Sequence, residues 1–248
     1  MPDTSKNHNI DLTVQLEQVV ARVRKAEQQY GRPSGSVQIL PVSKTRSPDD
    51  IVRVTQAGFT DFGESYLQEA QQKITALAEL GLHWHFIGPI QSNKTQEIAQ
   101  IFSWVHSVDR EKIARRLNDQ RPENLPPLNI CLQVNISGEK TKSGIQPSAL
   151  YELASSTMAL PRLRLRGLMA IPAPGTNFEQ QRQAFKAMRE SFDSLKVELG
   201  DTAATMNTLS MGMSNDLEAA IAEGSTIVRI GTDIFGPRNL VNKSTPAE

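Results

Sequence analysis

Apolar residues in the first part of the chain recur at Leu12, Leu16, Val19, Val20, Val23 and Ala26, the spacing of one face of an α-helix. Beyond them the pattern changes to short apolar or β-branched runs, each read as a strand, at about 37–43, 60–63, 84–88, 103–107, 129–135, 165–171, 205–210 and 226–231. Helical candidates lie between the runs at about 48–57, 65–80, 94–101, 110–119, 147–158, 178–198 and 215–222. An eighth helix is either very short or replaced by the opening one. Strict strand-helix alternation calls for parallel pairing with right-handed crossovers. Eight such units in this length predict an α/β chain closed into a (β/α)8 barrel rather than an open doubly wound sheet.

No linker divides the chain. Proline and glycine fall at unit junctions, as in Gly88-Pro89, Pro126-Pro127 and Pro172-Ala173-Pro174-Gly175. The expected organisation is one barrel over 11–240, with a flexible N-terminus at 1–10 and a flexible polar tail at 241–248.

Composition narrows the function classes only a little. With 248 residues and 38% apolar content the chain can bury a large core. Lys+Arg and Asp+Glu balance at 27 each, so no overall field recruits nucleic acid or an anionic membrane, and any anion site must be local. Met1 to Asn9 form no apolar leader, and no stretch approaches the length of a membrane span, so a cytoplasmic location is expected. The single cysteine, Cys131, sits in an apolar run and reads as a small hydrophobe. His83 and His85 flank Trp84 at strand spacing, but no further ligand set completes a metal site, and none is expected.

In a barrel of this kind chemistry gathers at the C-terminal strand tips. Lys44 closes the run Val37 to Lys44. Burying an unpaired ammonium costs several kcal/mol or strips its proton, which would make this lysine a nucleophile; alternatively the side chain snorkels to water. Ser214 precedes a helix expected from Asn215, and Gly231 with Thr232 follows the last strand. Together these tips read either as an anion cradle or as an N-cap and a turn. Arg229 shares a face with Ile227 and Gly231, so it points into the barrel and needs a partner, either Glu64 or a ligand atom. Arg46 would lower the Lys44 pKa if it faced the same pocket. Lys94 and Lys142 lie in loops at the same end, as solvated lysines or as guides for a phosphate.

Several segments in one order carry a strong resemblance. They are Val42-Ser43-Lys44-Thr45, Phe62-Gly63-Glu64, Trp84 to Lys94, Lys142-Ser143-Gly144, Arg166 to Ile171, Leu209 to Ser214 and Val228 to Thr232. Across about residues 12 to 238 the chain resembles the pyridoxal phosphate homeostasis protein family, of the YggS/PROSC type. The resemblance implies a single TIM barrel like the alanine racemase N-terminal domain, with an extra N-terminal helix. It also implies pyridoxal 5'-phosphate (PLP) held as a Schiff base on Lys44. By the same resemblance Met213, Ser214, Gly231 and Thr232 belong to the cofactor site, the last three at the phosphate, and Arg229 approaches the pyridine nitrogen. An arginine there disfavours protonation of that nitrogen and mutes the ring as an electron sink.

The implied function is intracellular storage or delivery of PLP, with no catalysis and with PLP-dependent apoenzymes as possible acceptors. The alternative is an amino-acid racemase-like enzyme, which would need a second acid/base group on the opposite ring face. Alanine racemases take that group from an added C-terminal β domain. This chain ends soon after Phe235-Gly236-Pro237-Arg238, which favours the carrier and a monomer. Family members commonly read Phe-Gly-Glu-Asn where this chain has Phe62-Gly63-Glu64-Ser65, so an amide is replaced by a hydroxyl.

Overall fold

The computed structural model describes residues 11–139 and 142–237; the expected flexible segments 1–10 and 241–248 lie outside the described residues. Eight strands form one sheet: β1 (Gln38–Pro41), β2 (Asp61–Glu64), β3 (His83–Phe86), β4 (Trp104–Val108), β5 (Leu128–Gln133), β6 (Leu163–Met169), β7 (Thr208–Ser210) and β8 (Ile227–Ile230). Every pairing is parallel, in the order β1-β8-β7-β6-β5-β4-β3-β2. The two edges meet through a parallel bridge between Val42 and Gly63, with the Ser43 amide donating to the Gly63 carbonyl at 3.0 Å. The sheet is therefore a nearly closed barrel, as the alternation predicts.

The helices are α1 (Leu12–Gln29), α2 (Pro48–Gln56), α3 (Leu67–Ala76), α4 (Thr95–Ile101), α5 (Glu111–Gln120), α6 (Leu150–Met158), α7 (Phe178–Leu199), α8 (Leu217–Ala222) and α9 (Thr232–Phe235). Local chemistry sets several of their starts. Ser47 and Asp50 form a reciprocal capping box ahead of Pro48, so α2 begins directly behind the β1 tip. Asn177 accepts from the Gln180 amide at the head of α7. The last connection is the short α9, and α1 packs across α8 and α9 to cover that side of the barrel.

Side chains separate into two buried regions. The large apolar core lies between sheet and helices and includes Ile39, Phe62, Ile130, Leu132, Leu168 and Val228. The other face of the strands fills the barrel. Residues paired in register share a face, so Leu40 with Arg229, Met169 with Ser210, and Gly63 with His85 point inward. Buried His106 lies two residues beyond Trp104, the register partner of His85, and joins them. An unusually polar interior results.

Candidate functional site

Lys44 is half-buried, on a turn just past β1. Ser43 O accepts from the Arg46 amide at 3.0 Å to close that turn. Thr45 takes a φ of 64°, the one positive φ outside glycine among the described residues. Both neighbours of Lys44 are pinned. Lys73 of α3 is 3% exposed and donates to Ser43 O at 2.6 Å, to Glu64 Oε1 at 2.7 Å and to Glu69 Oε1 at 2.5 Å. Ser43 Oγ donates to Glu64 Oε1 at 2.7 Å, and the Thr45 amide donates to Glu69 Oε1 at 2.5 Å. Burial pushes the Glu64 carboxyl up, against the pull of Lys73 and Ser43, and its Oε2 has no protein partner. A buried lysine and two carboxylates thus lock the backbone that presents Lys44.

The tips of β7 and β8 follow β1 in the sheet, so the sequence's other candidates stand beside Lys44 in the barrel rim. Ser214 and Gly231 are half-buried, and Met213 and Thr232 are exposed. The Asp233 amide donates to Ser214 Oγ at 3.4 Å, and Arg22 of α1 ties the two loops together. Its guanidinium donates to Ser214 O at 3.2 Å, to Glu218 at 2.9 Å and to Asp233 at 2.5 Å. Two expectations change here. The helix after Ser214 starts at Leu217, not Asn215, and its N-cap is Asp216. The Asp216 carboxylate accepts from the Met213 amide at 2.6 Å, so that amide is occupied and Ser214 is not the helix cap.

Arg229 points into the barrel, 4% exposed. Its partner is not Glu64, which the charges suggested. Arg229 Nη1 donates to Ser210 O at 2.6 Å and to Ser210 Oγ at 2.8 Å, and Nη2 donates to Ala170 O at 2.9 Å. The reason is topological: β7 borders β8, whereas β1 stands between β8 and β2, and Glu64 is consumed by Lys73. Burial lowers the Arg229 pKa to about 10, which leaves it cationic at neutral pH.

Arg46 donates to Gly236 O at 2.5 Å and Pro237 O at 3.1 Å and lies over the Phe235 ring. Lys94 pairs with Glu97 and Lys142 with Glu139, each at 3.1 Å. Ser65 opens, with Tyr66, Phe86, Pro89 and Lys94, on a groove of about 470 Å³ beside the β2 and β3 tips. His83 is exposed and His85 buried. Among the described residues no group of three or more His, Cys, Asp or Glu could hold a metal ion, and no helix is long and apolar enough to cross a membrane.

Sequence reasoning missed Lys73, Glu69, Arg22, His106 and Ser210. Lys73 had a signal: it falls on the inward stripe Leu67, Ala70, Ile74, where a charge demands a partner. Arg22 and Ser210 had none, because their partners are distant in sequence.

Comparisons place this geometry. A family model described as alanine racemase, N-terminal domain, matches residues 14–239. The pyridoxal phosphate homeostasis protein of Pseudomonas aeruginosa is 56% identical over 224 residues, spanning 90% of this chain and 94% of its own. A solved structure of an unknown protein from Bifidobacterium adolescentis superposes with a TM-score of 0.83 at 34% identity, over 90% of this chain and 94% of that one. PipY of Synechococcus elongatus, solved with PLP bound, superposes with a TM-score of 0.76 at 34% identity, over 88% of this chain and all of its own. A barrel of the alanine racemase N-terminal type, matched along almost its whole length by homeostasis proteins, makes this chain a member of the pyridoxal phosphate homeostasis protein family.

Proposed function

We propose that the chain binds PLP as a Schiff base on Lys44 and stores or delivers it in the cytoplasm, as a monomer and without catalysing a reaction. The observation that carries this reading is the half-buried Lys44 on a turn pinned from both sides, next to the β8 and β7 tips. Family membership and the PLP-bound PipY relative support it.

The residues present suit such a group. Ser214 and Thr232 supply hydroxyls, Gly231 has no side chain to obstruct an anion, and Arg229 supplies a buried cation. When bound, PLP supplies an aldehyde that an amine captures. Lys44 would provide that amine, Ser214, Gly231 and Thr232 would hold the phosphate, and Arg229 would face the ring nitrogen. Met213 contributes through its side chain, since its amide serves Asp216. A cationic Arg229 would keep a proton off a neighbouring ring nitrogen, which favours holding the cofactor over using it as an electron sink. Tyr66, two residues past β2, is 52% exposed and sits on the rim. That position favours storage over proton transfer on a ring face. Transfer to PLP-dependent apoenzymes would proceed by exchange with an acceptor amine.

The test is borohydride reduction of the PLP-treated chain followed by peptide mass analysis. Incubation of the loaded protein with single-enantiomer amino acids, beside a Lys44→Ala control, separates carrier from racemase.

A further inference from the structure

Asp61, His85, His106, Ser210 and Arg229 form an unbroken hydrogen-bonded chain through the barrel interior. His85 Nε2 lies 3.0 Å from Asp61 Oδ1, and His85 Nδ1 lies 3.0 Å from His106 Nε2. His106 Nδ1 lies 2.8 Å from Ser210 Oγ, which accepts from Arg229 Nη1 at 2.8 Å. Both imidazoles are fully buried. Asp61, at the start of β2, opens on a groove of about 390 Å³ at the opposite end of the barrel from Lys44.

Chemistry fixes the polarity of this chain. A guanidinium only donates and a carboxylate only accepts. With neutral rings, the Ser210 hydroxyl must donate to His106 Nδ1, His106 Nε2–H to His85 Nδ1, and His85 Nε2–H to Asp61. The reverse order would set the His85 Nε2 lone pair against a carboxylate oxygen. One added proton at His85 permits that reversal: His85 then donates to His106, His106 to Ser210, and the hydroxyl hydrogen must leave the chain. The interior thus has two proton arrangements separated by a single proton.

We propose that His85 and His106 are positioning residues for Arg229: their proton arrangement orients the Ser210 hydroxyl and so sets the hydrogen-bonding state of the guanidinium. Its relevance to the ring nitrogen rests on the function proposed above. Burial lowers both imidazole pKa values, His106 well below the ordinary range, so the neutral arrangement holds at neutral pH. The other titratable or charged groups facing the chain are His83, 3.8 Å from Asp61, Asp216 and the Cys131 thiol near Arg229, and Arg166 beyond Trp104. Trp104 stacks on His85 at 5.4 Å, with Arg166 over the indole.

The test begins with the ligand-free full chain labelled with ¹⁵N-histidine. Both rings should be neutral at pH 7.5 with the hydrogen on Nε2; a hydrogen on Nδ1 alone, or an imidazolium, overturns the proposal. Exchange of the Arg229 guanidinium protons should quicken about tenfold in Ser210→Ala, and an unchanged rate overturns it too. In the PLP-loaded chain the pH midpoint of the visible band should move by about one unit in His106→Leu but stay near the unaltered value in His106→Gln, which keeps an acceptor and a donor. Equal midpoints in all three overturn the proposal. Should His106→Leu fail to fold, Ser210→Ala takes its place in this comparison. Failure of the Lys44 reading shows separately, as no reduced adduct on the unaltered chain, and the ligand-free measurements then decide.

Discussion

The ammonium of Lys73 lies 2.6 Å from the carbonyl oxygen of Ser43, the residue immediately before Lys44. A buried lysine in α3 therefore holds the turn that presents a second, half-buried lysine. Replacing Lys73 by methionine strands Glu64 as a buried, unpaired charge and should cost about 3–5 kcal/mol at neutral pH. Without Lys73 the Glu64 carboxyl should rise further above its ordinary value. Its protonated form then stabilises the variant at low pH, and that contribution is lost as pH rises through the folded pKa. Urea unfolding of Lys73→Met should show a deficit at pH 7 that shrinks toward pH 5. A pH-independent deficit would contradict the pairing.

His106 is buried with its pKa held well below the ordinary value. The unfolded chain therefore takes up a proton near pH 6.5 that the folded chain refuses, and stability falls as pH drops below that point. His106→Gln removes this proton from the balance. Its stability should fall less steeply between pH 6.5 and 5, by up to about 1.4 kcal/mol per pH unit. Thermal unfolding across that range checks the slope, and parallel curves would count against a neutral buried ring.

Arg22 bridges the loops after β7 and β8 from outside the barrel. Its side chain is 38% exposed, so Arg22→Ala should cost only about 1 kcal/mol in stability. The loops would lose their common tie, and the affinity for PLP should drop roughly tenfold, the equivalent of about 1.4 kcal/mol. Equilibrium titration by the visible band measures this. An unchanged affinity would show that the loops hold their places without Arg22.

Much of the fold was legible because hydrophobic period is a local signal, and all eight strands fall where the runs predict them. Lys44 and Arg229 stood out as charges closing or interrupting apolar runs. What stayed hidden depends on which distant elements meet. His106 and Ser210 are 104 positions apart, and Arg22 lies 196 from Glu218. Of the two partners that charge suggests for Arg229, Glu64 is excluded, because the neighbouring strands offer a serine hydroxyl and two carbonyls closer than any carboxylate. The start of α8 slipped by two residues because the Asp216 side chain folds back on Met213.

Gly88, in the Ile87-Gly88-Pro89 junction, packs its backbone closely against Ser65 just past β2. A Cβ added there would sit 2.1 Å from the Ser65 carbonyl oxygen. Gly88→Ala should therefore destabilise the chain by about 1–3 kcal/mol through forced backbone movement. Chemical denaturation reads the loss, and a neutral result would mean that the Ser65 segment yields freely.

Covalent capture of PLP at the β1 tip is tested most directly by borohydride reduction of the PLP-treated chain and mass analysis of its peptides. The expected result is one reduced adduct on Lys44, absent from Lys44→Ala. A chain that stays colourless, or an adduct on Lys73, Lys94 or Lys142 instead, would contradict it.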